Sequence, residues 1–213
     1  FGPARRAVVI SFGSVSRGAI FSLLSHGIHD IAVYTQRPTS LVANQIPGIS
    51  YKRFVENASG GFEVVNMDRS RTPILDALSS ADIIVNGILQ NPVKPVVLVT
   101  DDDVPRFTKP CLIIDVSCSK AMGFSFAYPT TFSSPTIQLG NIMYYGVDHT
   151  PTLLWNSATW EISRALLPYL KCVVGGIENK VISDAIDIRE GKILNSDIIV
   201  YQNRSKVYPY RQL

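Results

Sequence analysis

The residues best suited to chemistry lie in a few short blocks. The first is Ser11-Phe12-Gly13-Ser14-Val15-Ser16, which follows the apolar run Ala7-Val8-Val9-Ile10. A strand that ends in a glycine turn and continues as a helix aims free backbone N–H groups and the positive end of the helix dipole at a pyrophosphate. In the pattern G-x-G-x-x-G, Gly13 would be the middle glycine, and Ser11 and Ser16 would stand at the outer two positions. One glycine has little specificity, so an ordinary strand-to-helix turn is the alternative.

The second block is Thr35-Gln36-Arg37-Pro38, at the end of a second apolar run. In a nucleotide-binding βαβ unit this position faces the adenosine ribose, where a carboxylate selects a free 2′-hydroxyl and an arginine pairs with a 2′-phosphate. Gln36 and Arg37 therefore point to NADP rather than NAD. The alternative is a surface arginine beside a turn proline. Asn86-Gly87-Ile88-Leu89 closes a further buried run, at the edge of a parallel sheet where ligands lie.

Histidines are scarce. His26 and His29 flank a helix end and read as caps or surface residues. His149, beside Asp148 and after a buried strand, is placed to donate to a carboxamide or act as an acid; anchoring the helix that starts near Pro151 is the equal alternative. Asp101-Asp102-Asp103 reads as a helix N-terminus rather than a metal cluster, since consecutive carboxylates do not all face one ion. Asp115, at a strand end, reads as a structural carboxylate that satisfies backbone N–H groups. Cys118 has no histidine near it in sequence and reads as a packing residue, not a nucleophile.

These blocks require alternating strands and helices. The runs Ala7–Ile10, Ile31–Thr35, Ile83–Val85, Cys111–Val116 and Ile142–Val147 read as buried strands, Ala19–Ser25 and Pro73–Ser80 as short helices, and Phe62–Val65 as an extra strand. Leu41–Val55 is ambiguous, a short helix ended by Pro47 and then a strand near Tyr51–Phe54. Val96–Phe107 reads as a loop and short helix, and Phe124–Gly140 as a Ser, Thr and Pro-rich crossing. Leu153–Val174, with Leu154, Ala158, Ile162 and Leu166 at fourfold spacing, reads as a long amphipathic helix ended by Gly175-Gly176. Asn179–Arg189 reads as a second helix, and Ile198–Tyr201 as a short apolar run before the polar end.

The fold class expected is α/β: a doubly wound, mainly parallel Rossmann-type sheet with C-terminal helices. Residues 1–150 would form the dinucleotide-binding domain, and 151–213 a connecting helix and C-terminal segment.

Composition narrows the partners. Of 213 residues, 46% are apolar and 17% charged, with a net charge of +3, which gives no electrostatic case for nucleic acid or an anionic membrane. No apolar run approaches the roughly 20 residues that span a bilayer. The three cysteines have no metal-ligand spacing, and with two of them in apolar surroundings a reducing, cytoplasmic location is expected. The chain begins at Phe1 rather than methionine, so either upstream residues were removed or the chain is part of a longer polypeptide.

Several blocks together resemble one family. They are Ser80-Ala81-Asp82-Ile83-Ile84-Val85-Asn86-Gly87, Ile113-Ile114-Asp115-Val116-Ser117-Cys118, Gly123-Phe124 through Pro129-Thr130-Thr131-Phe132, Val147-Asp148-His149-Thr150-Pro151, and Trp155-Asn156-Ser157-Ala158-Thr159. In this order they are similar to the carboxyethylornithine synthases, of the alanine dehydrogenase and saccharopine dehydrogenase group. The resemblance implies an NADP-dependent, opine-type reductive condensation of a 2-oxo acid such as pyruvate with the side-chain amine of an ornithine-like amino acid. It also implies that Ser14, Val15, Ile88, Leu89, Ser117, Cys118 and Val147 to Thr150 line the cofactor beside Gly13, Gln36 and Arg37; the catalytic candidates remain His149 and Asp148, and no metal is expected.

The family places a substrate domain before the nucleotide domain, so the expected partners are that domain, in the same polypeptide or another chain, and further copies in a homo-oligomer. Relatives carry an acidic residue where this chain has Ser119-Lys120-Ala121. A nucleotide-binding module that has lost its chemistry is the alternative function.

Overall fold

The structure is a computed structural model and describes residues 5–91 and 93–213. What was expected from Phe1 lies outside the described residues. The chain divides into a first unit ending at Asp148 and a second from His149 to Leu213.

In the first unit, β1 (Arg6–Ile10) leads into α1 (Ser14–Ser25) and β2 (Asp30–Thr35). Next come β3 (Ser50–Glu56), β4 (Phe62–Val65), β5 (Arg71–Pro73) and the short helix α2 (Ile74–Ser79). The remaining strands are β6 (Ile83–Asn86), β7 (Val97–Val99), β8 (Cys111–Asp115), β9 (Gly123–Phe124), β10 (Thr136–Leu139) and β11 (Ile142–Tyr145).

Nine strands form one sheet in the order β10-β11-β8-β6-β1-β2-β3-β4-β5. The six from β11 to β3 are parallel, and the antiparallel strands β10, β4 and β5 sit at the edges. The expected doubly wound α/β fold is therefore present. Its central strands are near-continuous apolar runs because both faces are covered.

Alternation along β1 sorts the core into two layers. Ala7 and Val9 pack with Ile20 and Leu23 of α1 on one face, and Val8 and Ile10 pack with Tyr34, Ile84, Ile113 and Tyr144 on the other. Chain order reverses at β1, which pairs with β2 on one side and β6 on the other. Such a switch point opens a crevice beyond the C-terminal strand ends.

Some elements differ from expectation. The segment after Arg37 forms only a 3₁₀ turn at Thr39–Leu41, and the following strand is longer than anticipated. Val97–Val99 is a strand rather than a loop, paired with β9 in a small separate sheet. Both are non-local pairings that local composition does not reveal. The three aspartates do open a 3₁₀ helix, Asp101–Arg106, where Thr100 and Asp103 form a capping box.

The second unit begins with a 3₁₀ turn at Thr150–Leu154, followed by α3 (Trp155–Gly175) and α4 (Lys180–Asp184). The helix anticipated up to Arg189 stops at Asp184. Glu190 and Gly191, both at positive φ, reverse the chain into the hairpin of β12 (Ile188–Arg189) and β13 (Lys192–Ile193). The apolar run near the end lies in α5 (Ser196–Tyr201). Among the described residues no helix is long and apolar enough to cross a membrane.

Candidate functional site

β1 delivers the chain to the crevice, and Ser11 turns it. Ser11 lies at φ +79°, where a non-glycine residue carries about 1–2 kcal/mol of strain, and its N–H donates to Tyr34 O at 2.7 Å. The residue that replaces the first glycine of the fingerprint thus adopts a glycine's conformation.

Gly13 is the N-cap of α1 and supplies no side chain to the helix end, whose first turn contains no acidic residue. A Cβ added at Gly13 would meet no protein atom within 4 Å, so the space beside it is open. The exposed N–H groups of this helix end fit the phosphates of a dinucleotide.

Ser16 is fully buried, and its hydroxyl donates to Ile10 O at 3.4 Å. It brings α1 against Gly87, where a Cβ would lie 2.5 Å from Ser16 Oγ but 3.6 Å from Ser16 Cβ. We expect Gly87→Ala to destabilise the fold by about 1–3 kcal/mol through overpacking. Adding Ser16→Ala removes the clashing atom and should restore most of that loss. Urea unfolding of the single and double variants checks this; a double variant no more stable than Gly87→Ala would sink it.

The cleft has a volume of about 410 Å³ and is lined by Ser11, Phe12, Gly13, Thr35, Gln36, Arg37, Val42, Phe54, Gly87, Ile88 and Leu89. Of the residues singled out from the sequence, Gly13, Gln36, Arg37, Ile88 and Leu89 meet here. Ser14 and Val15 sit on the first turn of α1 with outward, exposed positions and are not among its lining.

The outer wall is braced by Arg17, which composition alone did not single out. Its guanidinium lies 4.1 Å over the Phe12 ring and donates to Ala43 O at 2.8 Å and Asn44 O at 3.0 Å. At the end of β2, Arg37 N–H donates to the Thr35 hydroxyl at 3.2 Å. Arg53 of β3 stands opposite Thr35 in the sheet register, and its Nε donates to Gln36 O at 3.3 Å. Two guanidinium groups therefore flank the strand end that holds no carboxylate.

Beyond β6 and β8 lies a buried polar cluster. Asp115 is 1% exposed and accepts hydrogen bonds from Asn86 Nδ2 at 2.9 Å, Ser117 N–H at 3.1 Å and the Tyr144 hydroxyl at 2.9 Å. Burial pushes its carboxyl up to about 6, against the pull of those donors. The strand-end carboxylate read as structural does satisfy a backbone N–H, and it also holds two side chains from other strands.

Cys118 is buried, and burial together with the nearby Asp115 and Asp148 carboxylates pushes its thiol up to about 11. The thiol is therefore protonated at neutral pH and a poor nucleophile. Val147 is buried and pairs with Thr130 as an isolated parallel bridge.

Asp148 closes the first unit and His149 opens the second, both exposed. His149 has φ +59° and is the N-cap of the Thr150–Leu154 turn, its carbonyl accepting from Thr152 N–H at 2.9 Å and the Thr152 hydroxyl at 2.8 Å. Its backbone thus anchors that turn. Among the described residues no group of three or more His, Cys, Asp or Glu is arranged to hold a metal.

Residues 6–203 match the family model described as alanine dehydrogenase/PNT, C-terminal domain. Over 98 residues, 46% of this chain and 30% of the relative, the sequence is 33% identical to N(5)-(carboxyethyl)ornithine synthase of Clostridium botulinum. Over 156 residues, 70% of this chain and 42% of the relative, it is 23% identical to alanine dehydrogenase of Mycolicibacterium smegmatis.

Among solved structures, an L-alanine dehydrogenase superposes with a TM-score of 0.64 at 16% identity, covering 92% of this chain and 52% of that one. A transhydrogenase from Sinorhizobium meliloti gives 0.66 at 17% identity, covering 91% and 53%. The chain spans about half the length of these solved relatives and less than half of the curated ones. With the model covering the parallel sheet, the crevice and most of the second unit, the chain belongs to the alanine dehydrogenase/PNT C-terminal domain family.

Proposed function

We propose that the chain is the NADP-binding part of an opine-type amino acid dehydrogenase. The observation that carries this reading is the open, glycine-capped start of α1 at the switch point, with Arg37 lining the same crevice and Arg53 beside it, donating to Gln36 O at the end of β2. The uncapped N–H groups of α1 would bind the pyrophosphate, and the two guanidinium groups a 2′-phosphate. When bound, the nicotinamide supplies the hydride that reduces an imine of a 2-oxo acid and a side-chain amine.

The protein's own part is to hold reactants and protons. Ile88 and Leu89 would wall the cofactor, with Ser14 and Val15 at the pyrophosphate, and the family resemblance adds Ser117, Cys118, Val147 and Thr150 to its binding residues. Asp148 and His149 are the pair assigned to proton transfer, at an imidazole nitrogen. The likeness to the ornithine synthase supports the choice of reaction.

α3 keeps its fourfold apolar spacing, yet Ile162 and Leu166 are 58% and 62% exposed. That stripe suits burial against a substrate domain, supplied by the same polypeptide or another chain.

Titration with NADPH and NADH, followed by nicotinamide fluorescence, tests the reading. Arg37→Ala and Arg53→Ala should each weaken NADPH binding by about tenfold, the worth of one charge-assisted hydrogen bond, and leave NADH binding unchanged. Equal losses for both cofactors would remove the basis for NADP, and no binding of either at millimolar concentration would overturn the reading. Oxidation of NADPH by pyruvate plus ornithine in a longer gene product then separates an enzyme from a nucleotide-binding module without chemistry.

A further inference from the structure

We infer that Asp115 is a positioning residue of the cleft: through a closed circuit of hydrogen bonds it ties the Gly87–Leu89 segment to the Ser117–Cys118 segment, and so shapes the wall that receives the nicotinamide half of a dinucleotide. The inference rests on the dinucleotide reading for its ligand, though the circuit itself does not depend on it.

The circuit is traced atom by atom. Asn86 and Asp115 are direct neighbours in the β6–β8 register, and Asn86 Nδ2 donates to Asp115 Oδ1. The other end of the same amide, Asn86 Oδ1, accepts from Ile88 N–H at 3.3 Å. The Ile88 carbonyl in turn accepts from the Ser117 hydroxyl, and Ser117 N–H returns to Asp115 Oδ1. Two loops leaving adjacent strands are thus held to each other by the Ser117 hydroxyl and by the Asn86 and Asp115 side chains, which start on the strands, while Tyr144 on β11 holds the remaining carboxylate oxygen.

The cluster has no slack. A Cβ at Gly146 would lie 2.6 Å from the Tyr144 hydroxyl, and one at Gly123 would press on Asn86 Nδ2. Among the described residues no buried side-chain nitrogen or oxygen lacks a partner. Apolar residues of similar size would fill this volume without desolvating a carboxylate, so a network that only filled space would be an expensive choice. What an apolar cluster does not supply is a fixed geometry for two loop amides at the crevice edge.

The titratable groups facing the carboxylate are Tyr144 from β11 and Cys118 from its own loop, and both are pushed up, which keeps them neutral. Asn86 from β6 and Gly123 from β9 carry no charge.

Amide hydrogen exchange in the 213-residue chain tests the circuit directly, because Ile88 and Ser117 N–H are held by side chains. Asp115→Leu should speed exchange at both amides by about tenfold or more while those of β1 and β2 keep their protection, and weaken NADPH binding by a similar factor. Asp115→Asn retains an Oδ1 acceptor for Asn86 and Ser117, and should keep both quantities within about threefold of wild type.

Should Asp115→Leu fail to fold, Asn86→Ala decides, since it breaks the circuit at the next link and should expose the same two amides. Unchanged exchange in a folded Asp115→Leu or Asn86→Ala chain overturns the circuit, even with NADPH binding intact. Faster exchange in a chain whose wild type binds neither NADPH nor NADH supports the circuit and overturns the dinucleotide reading.

Discussion

Gly123→Ala is expected to destabilise the fold by about 3 kcal/mol, from two separable sources. Gly123 has φ +82°, and holding an alanine in that left-handed region costs about 1–2 kcal/mol. The new methyl would also press on Asn86 Nδ2, a fully buried donor to Asp115. Displacing that amide leaves buried polar atoms without partners, at about 1–3 kcal/mol.

Gly140 provides the control. It too lies at positive φ, +56°, but a Cβ there meets only Val104 Cγ1 at 3.5 Å, an ordinary contact. Gly140→Ala therefore carries the backbone strain alone. Urea unfolding of both variants isolates the polar cluster's share as their difference. A Gly123 variant no less stable than the Gly140 variant would refute the packing of Asn86 against this glycine.

Asp115→Asn is expected to change the pH dependence of stability. The Asp115 carboxyl is raised from its ordinary 3.8 to about 6 by burial, so between those values the folded chain keeps a proton that the unfolded chain has released. Its contribution is fully present below about 3.8 and lost as pH rises through about 6. At about 1.4 kcal/mol per pH unit the loss totals about 3 kcal/mol. The asparagine has no such proton, so the stability of Asp115→Asn relative to wild type should rise by that amount between about pH 4 and pH 7.

Asp82 works in the opposite direction. The Lys109 ammonium, at 2.7 Å, and the Arg6 N–H hold its carboxyl below the usual range, and the stability it supplies is lost on acidification. The wild-type profile therefore mixes opposing slopes. The difference between the two profiles, measured by denaturant midpoints across pH, removes Asp82 and leaves Asp115. A difference that stays flat from pH 4 to 7 would contradict the burial argument.

Much of the first unit was legible residue by residue. Ala7–Ile10, Ile31–Thr35, Ile83–Val85 and Cys111–Val116 read as strands because a parallel strand covered on both faces must be apolar along its whole length. Gly13 and the small residues after it marked the turn for a related reason, since only a short, uncapped approach leaves backbone N–H groups free. The β7–β9 pair escapes a local reading because its partners are distant in sequence, Val97 opposite Gly123, whereas the edge strands β5 and β10 pair within short hairpins and escape it because they lack an apolar run and are largely exposed. Helix periodicity past Asn179 also gave way: α4 ends at Asp184, and the following residues pair as the β12–β13 hairpin around the positive-φ turn at Glu190 and Gly191.

By itself the sequence determined the α/β class, the run of buried strands, the glycine turn and a second strand end without a carboxylate, because each depends on residues within a few positions of one another. Only the tertiary structure decided that Arg53 stands beside Thr35, that Ser16 meets Gly87, and that Asn86, Asp115, Ser117 and Tyr144 close on one carboxylate. Those meetings are set by the register of parallel strands joined through long crossovers. That register comes from packing of the whole sheet, not from any local stretch of chain.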